Sequence, residues 1–117
     1  RPIDGAIVLT DDVRIVPLPG HTPGSQGLLV ERNGTTYVCC GDHIVTYENL
    51  VSSPRPNWSG AAVPPGVHVD LVRWRESMSR ILEQGWVPLP AHEARVEAVL
   101  AGEHDALQWL RPMCPGL

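Results

Sequence analysis

The sequence predicts an α/β fold in which paired strands come first and helices flank a later strand. Short apolar runs separated by turn residues fill the first forty positions, and apolar residues at helical spacing begin near Asp70. The chain has 117 residues, of which 43% are hydrophobic and 19% charged, which is typical of about one globular domain. No apolar run approaches the roughly 20 residues of a membrane-spanning helix, so we expect no membrane contact.

The amino-terminal strands are predicted from two neighbouring pairs of apolar runs. Residues 6–9 and 13–18 form the first pair, with the acidic turn "TDD" between them. The runs "QGLLVER" and "TTYVCC" form the second pair and flank Asn33-Gly34. A two-residue Asn-Gly connection favours a type I′ turn, whose twist matches antiparallel strands.

The rest of the chain predicts a loop, a helix, a strand and a second helix. Residues 43–67 are rich in proline and show no sustained period, so we expect an irregular loop. A helix should begin at Asp70 and stop at Gly85, with a core stripe of Leu71, Trp74, Met78, Ile81 and Leu82. The run "GWVPLPAH" predicts a short strand, and a second helix should extend from Ala94 to about Leu110 with a break near Gly102.

The charge pattern excludes some classes of function. The net charge is −4 and all nine basic residues are arginines, scattered without a basic stripe, which disfavours nucleic-acid binding. The absence of lysine excludes a Walker-type phosphate lysine and a Schiff base. With no secretory leader at its start, the sequence predicts a cytoplasmic location.

Three polar residues stand where predicted strands end: His21, Asp42 and His92. Neutral imidazole and carboxylate are ligands suited to zinc and similar ions, and one carboxylate can bridge two ions. Glycines and prolines around His21 in "PLPGHTPGSQG" suit a sharp turn that presents an imidazole at a fixed angle, and Thr22 can hydrogen-bond within that turn. Taken singly, each of the three also has a structural interpretation, as a core or surface histidine, a turn cap or a helix start.

The motifs "GHTPGSQGLLVE", "CCGD" and "PLPAHE", in this order, resemble the carboxyl-terminal half of the metallo-β-lactamase superfamily. The resemblance implies an αββα (α+β) sandwich, of which residues 1–117 supply the carboxyl-terminal half as a mixed, mainly antiparallel sheet with flanking helices. It also implies two divalent metal ions, usually zinc, with His21 on one ion, His92 on the other, and Asp42 as the bridging, catalytic carboxylate.

Within the superfamily, "HTPGSQGLLVE" followed by "GD" and "TYENL" looks most like N-acyl homoserine lactonases. Those enzymes often have a tyrosine three residues after the bridging aspartate, where this sequence has Val45. The resemblance implies hydrolysis of a lactone, ester or thioester by water that the ions activate, and a glyoxalase-II-like thioesterase is an alternative. In the loop after Asp42 we expect Tyr47 and Trp58 to contact an acyl group, with a core plug as the alternative for Trp58, and His43 to line the pocket or to be structural.

The superfamily's His-x-His-x-Asp-His motif does not occur in this sequence. The chain therefore resembles a half whose amino-terminal partner is missing. We expect it to be inactive alone and to associate with that partner or with another copy of itself, as a homo-oligomer. The competing hypothesis is a non-catalytic half-domain that binds a partner chain through its exposed sheet.

Overall fold

The computed structural model describes residues 4–50, 64, 66–103 and 108 of the chain. Its strands and helices follow the predicted order: β1 (Ile7–Thr10), β2 (Val13–Pro17), β3 (Gln26–Arg32), β4 (Thr35–Cys39), α1 (Leu71–Glu83), β5 (Val87–Leu89) and α2 (Val96–Ala101). Two 3₁₀ turns follow β4, at Gly41–His43 and Tyr47–Leu50. None of the described helices is long and apolar enough to cross a membrane.

The five strands form one sheet in the order β1-β2-β3-β4-β5. The first four pair antiparallel, whereas β4 and β5 pair in parallel. This is the predicted mixed, mainly antiparallel sheet. Because β3 runs opposite to both β2 and β4, the strands β2, β4 and β5 all run in the same direction. Their carboxyl ends consequently lie at the same edge of the sheet.

The hairpin between β3 and β4 has the predicted turn. Asn33 and Gly34 both have positive φ, 52° and 77°, and Arg32 pairs with Thr35 across them. Positive φ at both central residues defines the type I′ turn. The turn fixes which residues of the two strands face each other, and so places Leu29 opposite Val38.

Helix α1 begins and ends as its sequence predicts. Asp70 is the N-cap, and its Oδ1 accepts a hydrogen bond from the Arg73 N–H at 2.9 Å. Gly85, with φ of 65°, follows the C-cap. Trp74, Met78 and Ile81 are buried, but Leu71 is 45% exposed, so the core stripe begins one turn later than expected.

The core lies between one face of the sheet and α1. Along β2 and β3, buried residues alternate with partly exposed ones, as a strand with one covered face requires. The buried residues Val16, Leu29 and Val38 belong to the same cluster as the α1 stripe. The other face, which we call the open face, presents five partly or fully exposed apolar residues: Ile7, Val13, Ile15, Leu28 and Val30.

Two segments differ from the expected elements. The loop at 43–67 contains an ordered 3₁₀ turn at Tyr47–Leu50, while residues 51–63 lie outside the described part of the chain. Helix α2 starts two residues later than Ala94, and Gly102 ends it in a left-handed conformation with φ of 78°. The expected continuation to about Leu110 falls mostly on residues outside those described.

Candidate metal centre

The three predicted metal ligands follow the three strands that run in the same direction. His21 lies after β2, Asp42 after β4 and His92 after β5. The carboxyl ends of these strands share one edge of the sheet, so the topology brings residues that are distant in sequence together. The antiparallel strand β3 lies between β2 and β4, and the loop that carries His21 has to reach across its end.

That loop is closed by hydrogen bonds among its own residues. The Leu18 N–H donates to the Ser25 carbonyl at 2.8 Å, and the Ser25 N–H donates to the Thr22 carbonyl at 3.3 Å. The hydroxyl groups of Thr22 and Ser25 lie 2.8 Å apart, which confirms the local hydrogen bond predicted for Thr22. The prolines and glycines therefore build a self-contained turn.

Gly20 sets the distance between this loop and α1. Its φ is 142°, and a Cβ at this position would lie 2.3 Å from the Trp74 Cα. The Gly20 carbonyl also accepts hydrogen bonds from the Val69 and Asp70 N–H groups, each at 3.0 Å. Only glycine permits so close an approach. The main chain just before His21 is thus fixed to the start of the helix.

The side chains of the three residues meet at Asp42. The Nε2 of His92 lies 3.2 Å from Oδ1 of Asp42, and the Nε2 of His21 lies 3.7 Å from Oδ2. Each imidazole therefore faces a different oxygen of one carboxylate. The Asp42 side chain is 47% exposed and that of His92 is 65% exposed, so both are accessible to solvent.

A backbone carbonyl fixes the proton of His21. The Nδ1 of His21 lies 2.7 Å from the Val67 carbonyl oxygen, which can only accept a hydrogen bond, so Nδ1 carries the proton. In the neutral ring this leaves the lone pair on Nε2, the atom that faces Asp42. A ligating histidine in a metal site characteristically donates its other ring N–H in this way.

The three residues line one cleft of about 430 Å³. Its other lining residues are Val45, Thr46, Asn49, Gly66 and Val67. Asn49 shapes this wall because its Oδ1 accepts hydrogen bonds from the N–H groups of Val45 and Thr46, both at 3.0 Å. Val45, which stands where the resemblance places a tyrosine, faces this cleft.

Tyr47 and His43 lie in the core and not in the cleft, where residues that contact a substrate would be expected. Tyr47 is fully buried, and its hydroxyl donates to the Pro88 carbonyl at 3.1 Å. His43 is 1% exposed and stacks on Trp74 at a ring-centroid distance of 5.7 Å. Neither lines the cleft, because apolar packing draws both side chains into the core. The structure therefore favours the structural alternative for His43. Trp58 lies outside the described residues.

His43 is an unusual core residue. Both of its ring nitrogens are buried, and neither has a hydrogen-bond partner among the residues that the structure describes. Burial, with smaller contributions from the nearby His21 and Arg80, lowers the pKa of His43 from 6.5 to about 4. The ring is therefore neutral at physiological pH, and its role in the fold is that of a flat, largely apolar filler.

The side chains at this site are of the types that bind zinc and similar ions, but there are too few of them for a catalytic zinc site. Neutral imidazole and carboxylate are the groups that such ions bind, and the two oxygens of Asp42 can serve two ions. Catalytic zinc, however, has three protein ligands as a rule. Within the described ranges, no group of three or more histidine, cysteine, aspartate or glutamate side chains is arranged to hold a metal ion. His21, Asp42 and His92 together offer two histidines and one carboxylate, fewer protein ligands than two zinc ions would require.

Sequence reasoning missed the residues that support the site. Val67 fixes His21 through a backbone carbonyl, which no side-chain pattern reveals. Asn49 shapes the cleft, and Glu93 and Arg95 form ion pairs next to His92. In the sequence, "HEAR" at 92–95 places Glu93 and Arg95 two residues apart, and this spacing of opposite charges is a signal for their ion pair.

Comparisons with known proteins identify the fold. An N-acyl homoserine lactone hydrolase, solved with the product N-hexanoyl-L-homoserine at its catalytic metal centre, matches with a TM-score of 0.61 and 20% identity, over 83% of this chain and 37% of that chain. A quorum-quenching N-acyl homoserine lactone lactonase matches with a TM-score of 0.60 and 20% identity, over 83% of this chain and 38% of that chain.

A probable metal-dependent hydrolase from Staphylococcus aureus matches less closely, with a TM-score of 0.50 and 18% identity, over 78% of this chain and 31% of that chain. No protein-family model matches the sequence, and no curated protein matches it. The chain spans a little over a third of the length of the lactonase structures it resembles. At these identities the likeness concerns the fold, and the chain has the α/β, metallo-β-lactamase-like fold that its motifs predicted.

Proposed function

We propose that this chain is part of a metal-dependent hydrolase that opens a lactone, ester or thioester. The observation that carries the proposal is the arrangement at Asp42, whose two oxygens face the Nε2 atoms of two different histidines. The likeness of the fold to N-acyl homoserine lactone hydrolases supports a lactone with an acyl chain as the first substrate to test.

His21, Asp42 and His92 would hold two divalent ions, with zinc as the expected metal. When bound, such ions polarise a carbonyl group and make water a nucleophile near neutral pH. His21 is prepared for this role because Val67 already holds its proton on Nδ1. The Nε2 of His92 lies 3.2 Å from Oδ1 of Asp42 and would need its lone pair, with any ring proton on Nδ1, to bind an ion.

The cleft beside these residues would hold the substrate. Val45 and Val67 supply apolar surface, and Thr46 lies next to them in the polar part of the wall. Val67 therefore has two roles, since its carbonyl orients His21 while its side chain is 70% exposed and available to an acyl chain. Because Tyr47 lies in the core, Val45 and Val67 would make the apolar contacts with an acyl chain that were expected of Tyr47.

Activity needs more than this chain provides. Each ion would receive one histidine and a share of Asp42, which leaves it with fewer protein ligands than catalytic zinc requires. We therefore expect the 117-residue chain alone to bind zinc weakly and to hydrolyse acyl substrates below enzymatic rates. The remaining ligands would come from a preceding half of a longer polypeptide or from a partner chain.

Metal content and hydrolysis together test this proposal. The zinc affinity should fall at least tenfold in His21→Ala and in Asp42→Asn, whereas Asp11→Asn, in the turn between β1 and β2, should match the unchanged chain. An N-acyl homoserine lactone, a phenyl ester and a thioester should be compared as substrates for the chain and for any longer product of its gene. Zinc binding that ignores both site substitutions would refute the metal centre.

A second candidate function is a non-catalytic half-domain that binds a partner chain. The open face favours it, because five apolar residues remain at least partly exposed on one side of the sheet. A longer gene product that binds the partner chain, yet takes up no zinc and hydrolyses none of the three substrates, would support this candidate over the hydrolase.

A further inference from the structure

A cluster of charged residues lies directly behind His92. Glu93 follows His92 in sequence, and its side chain is only 4% exposed. Its Oε2 accepts a hydrogen bond from the Tyr47 N–H at 3.0 Å, and its Oε1 accepts one from the Arg95 N–H at the same distance. The Arg95 guanidinium donates to both oxygens, at 2.6 Å each. The carboxylate is thus bound from two directions.

Arg95 extends this cluster to the segment that follows Asp42. Its Nη2 donates to both oxygens of Glu48, at 2.7 and 2.8 Å, and its guanidinium lies 5.6 Å from the centre of the Tyr47 ring. We call the four residues Tyr47, Glu48, Glu93 and Arg95 the Glu93 clamp. The clamp joins the loop after β5 to the 3₁₀ turn after β4, the two strands that deliver His92 and Asp42.

The main chain of His92 lies beside the clamp. Its N–H donates to the Val45 carbonyl at 3.1 Å. The His92 backbone is therefore bonded to Val45, and the Glu93 side chain to Tyr47, in the segment that follows Asp42. This matters because the imidazole of His92 is 65% exposed. A side chain with so little packing around it depends on its main chain for its position.

The energetics of the clamp favour a rigid connection. Hydrogen bonds between an ionised carboxylate and a guanidinium are stronger than neutral ones and fix geometry when two are made in parallel. The hydrogen bonds from Arg95, with those from backbone N–H groups, lower the pKa of Glu93 to about 2.

We propose that Glu93 is a positioning residue that holds His92 against Asp42 through the Tyr47 N–H and Arg95. The inference deepens the proposed function and rests on it for its link to metal binding. Glu93 does not line the cleft, and it acts by fixing the backbone from which His92 projects. Its loss would let His92 swing away from Asp42 while leaving the sheet and α1 in place.

Hydrogen exchange measures the positioning without any metal. In Glu93→Gln the amides of Tyr47 and His92 should exchange about tenfold faster than in the unchanged chain, while those of Leu29 and Val30 in β3 keep their rates. Glu97→Gln makes the same charge change at an exposed position of α2 and should alter none of these rates. Unchanged exchange at Tyr47 and His92 in Glu93→Gln would overturn the inference. If that variant fails to fold, Arg95→Lys, which keeps the charge but loses the fork, replaces it.

Cobalt binding then tests whether the positioning serves the site. Glu93→Gln should weaken Co²⁺ affinity about tenfold, as the loss of supporting partners does in metal sites. In His92→Ala the same substitution at Glu93 should cause no further loss, because Glu93 acts through His92. Independent, additive losses would instead indicate a general structural effect and overturn the inference. If neither the chain nor a longer product of its gene binds Co²⁺, the proposed metal centre is refuted, while the exchange rates still decide the role of Glu93.

Discussion

The residue His43 shows how a polar side chain can serve as core material. It is adjacent to Asp42, and its ring lies in the core with both nitrogens unsatisfied. A buried polar atom without a partner costs about 1–3 kcal/mol. The stacking on Trp74 offsets part of that cost. The Trp74 indole N–H also donates to the His43 carbonyl at 2.8 Å, so the residue is fixed by both its ring and its backbone.

The first prediction concerns the pH dependence that this ring imposes. The folded pKa of His43, about 4, lies below the unfolded value of 6.5, so the unfolded chain binds the proton more tightly between these values. Stability is complete above pH 6.5 and is lost as the pH falls towards 4. Between pH 7.5 and pH 5 the loss should be about 2 kcal/mol.

Substitution of His43 by leucine removes that dependence. Urea unfolding of metal-free protein, followed by circular dichroism at pH 7.5 and pH 5, should show about 2 kcal/mol less acid destabilisation in His43→Leu than in the unchanged chain. At pH 7.5 the variant should be at least as stable, because two unsatisfied nitrogens are gone. Equal acid sensitivity of the two proteins would contradict the buried, neutral state of the ring.

At the scale of elements, α1 holds the loop that carries His21. The helix begins at its Asp70 cap, and the two N–H groups just before it bind the Gly20 carbonyl. About two turns further along the helix, the Ser77 hydroxyl donates to the Pro19 carbonyl at 2.9 Å. The start of the helix and the loop before β3 therefore form one unit, and a change in the first should be felt in the second.

The second prediction tests the cap of this helix. Asp70→Ala removes the acceptor of the Arg73 N–H and should destabilise the protein by about 1 kcal/mol in thermal or urea unfolding. Glu76→Ala, an exposed change in the middle of the same helix, should stay within about 0.5 kcal/mol of the unchanged chain. Equal effects of the two substitutions would mean that Asp70 is no cap in solution.

The third prediction concerns Gly20. Gly20→Ala places a methyl group against the backbone of Trp74, which cannot yield without moving the helix. We expect destabilisation of several kcal/mol, at the high end for single substitutions. Gly24→Ala, in the same loop but with open space around it, is the matched control and should be far milder. Similar unfolding midpoints for the two variants would contradict the close contact between the His21 loop and α1.

The sequence predicts the elements well because each depends on local chemistry. The Asn33-Gly34 turn, the Asp70 cap and the stop at Gly85 are encoded by the residues in place. Tyr47 was expected in the cleft and lies in the core, because its direction depends on the 3₁₀ turn that contains it. The Glu93 clamp was missed for a related reason, since its partners at 47 and 48 become neighbours only when β5 pairs with β4.

In the candidate site, too, the features that depend on local sequence are predictable, and those that depend on the pairing of distant segments are not. The residue types at 21, 42 and 92 indicate metal chemistry, and the motifs that carry them indicate the fold. Their approach to one another depends on the shared direction of β2, β4 and β5, which no pattern within a single strand contains. The carbonyl of Val67, which orients His21, belongs to the backbone and leaves no signal in the residue types.

At the scale of the whole molecule, the described residues cover one face of the sheet and leave the other face uncovered. The open face carries Ile7, Val13, Ile15, Leu28 and Val30, which the pairing of β1 with β2 and of β2 with β3 places side by side. Contiguous apolar surface of this kind is typical of an interface. It is the face on which a second sheet, from a preceding half or another copy, would pack.

The fourth prediction is that this chain is not a clean monomer in solution. Sizing with intact mass measurement should give a species larger than the 12.8 kDa of one chain. Ile15→Lys, on the open face, should shift the protein towards monomer because the interface cannot bury the charge. Val72→Lys, which adds the same charge at a position 70% exposed on α1, should leave the assembly unchanged. A monomeric unchanged chain would contradict the interface.

The parallel pairing of β4 and β5 also bears on the order of events during folding. The antiparallel pairs join neighbouring segments, whereas β5 reaches β4 only after the long connection through α1 has closed. Contacts between distant segments form slowly, because the chain entropy of the closed loop is lost before the pairing compensates it. His21 and Asp42 belong to the early, local part of the sheet, while His92 arrives with its last strand. The proposed metal site should therefore be completed in the slowest phase of refolding, so that a chain halted before that phase would have an ordered hairpin and an incomplete site.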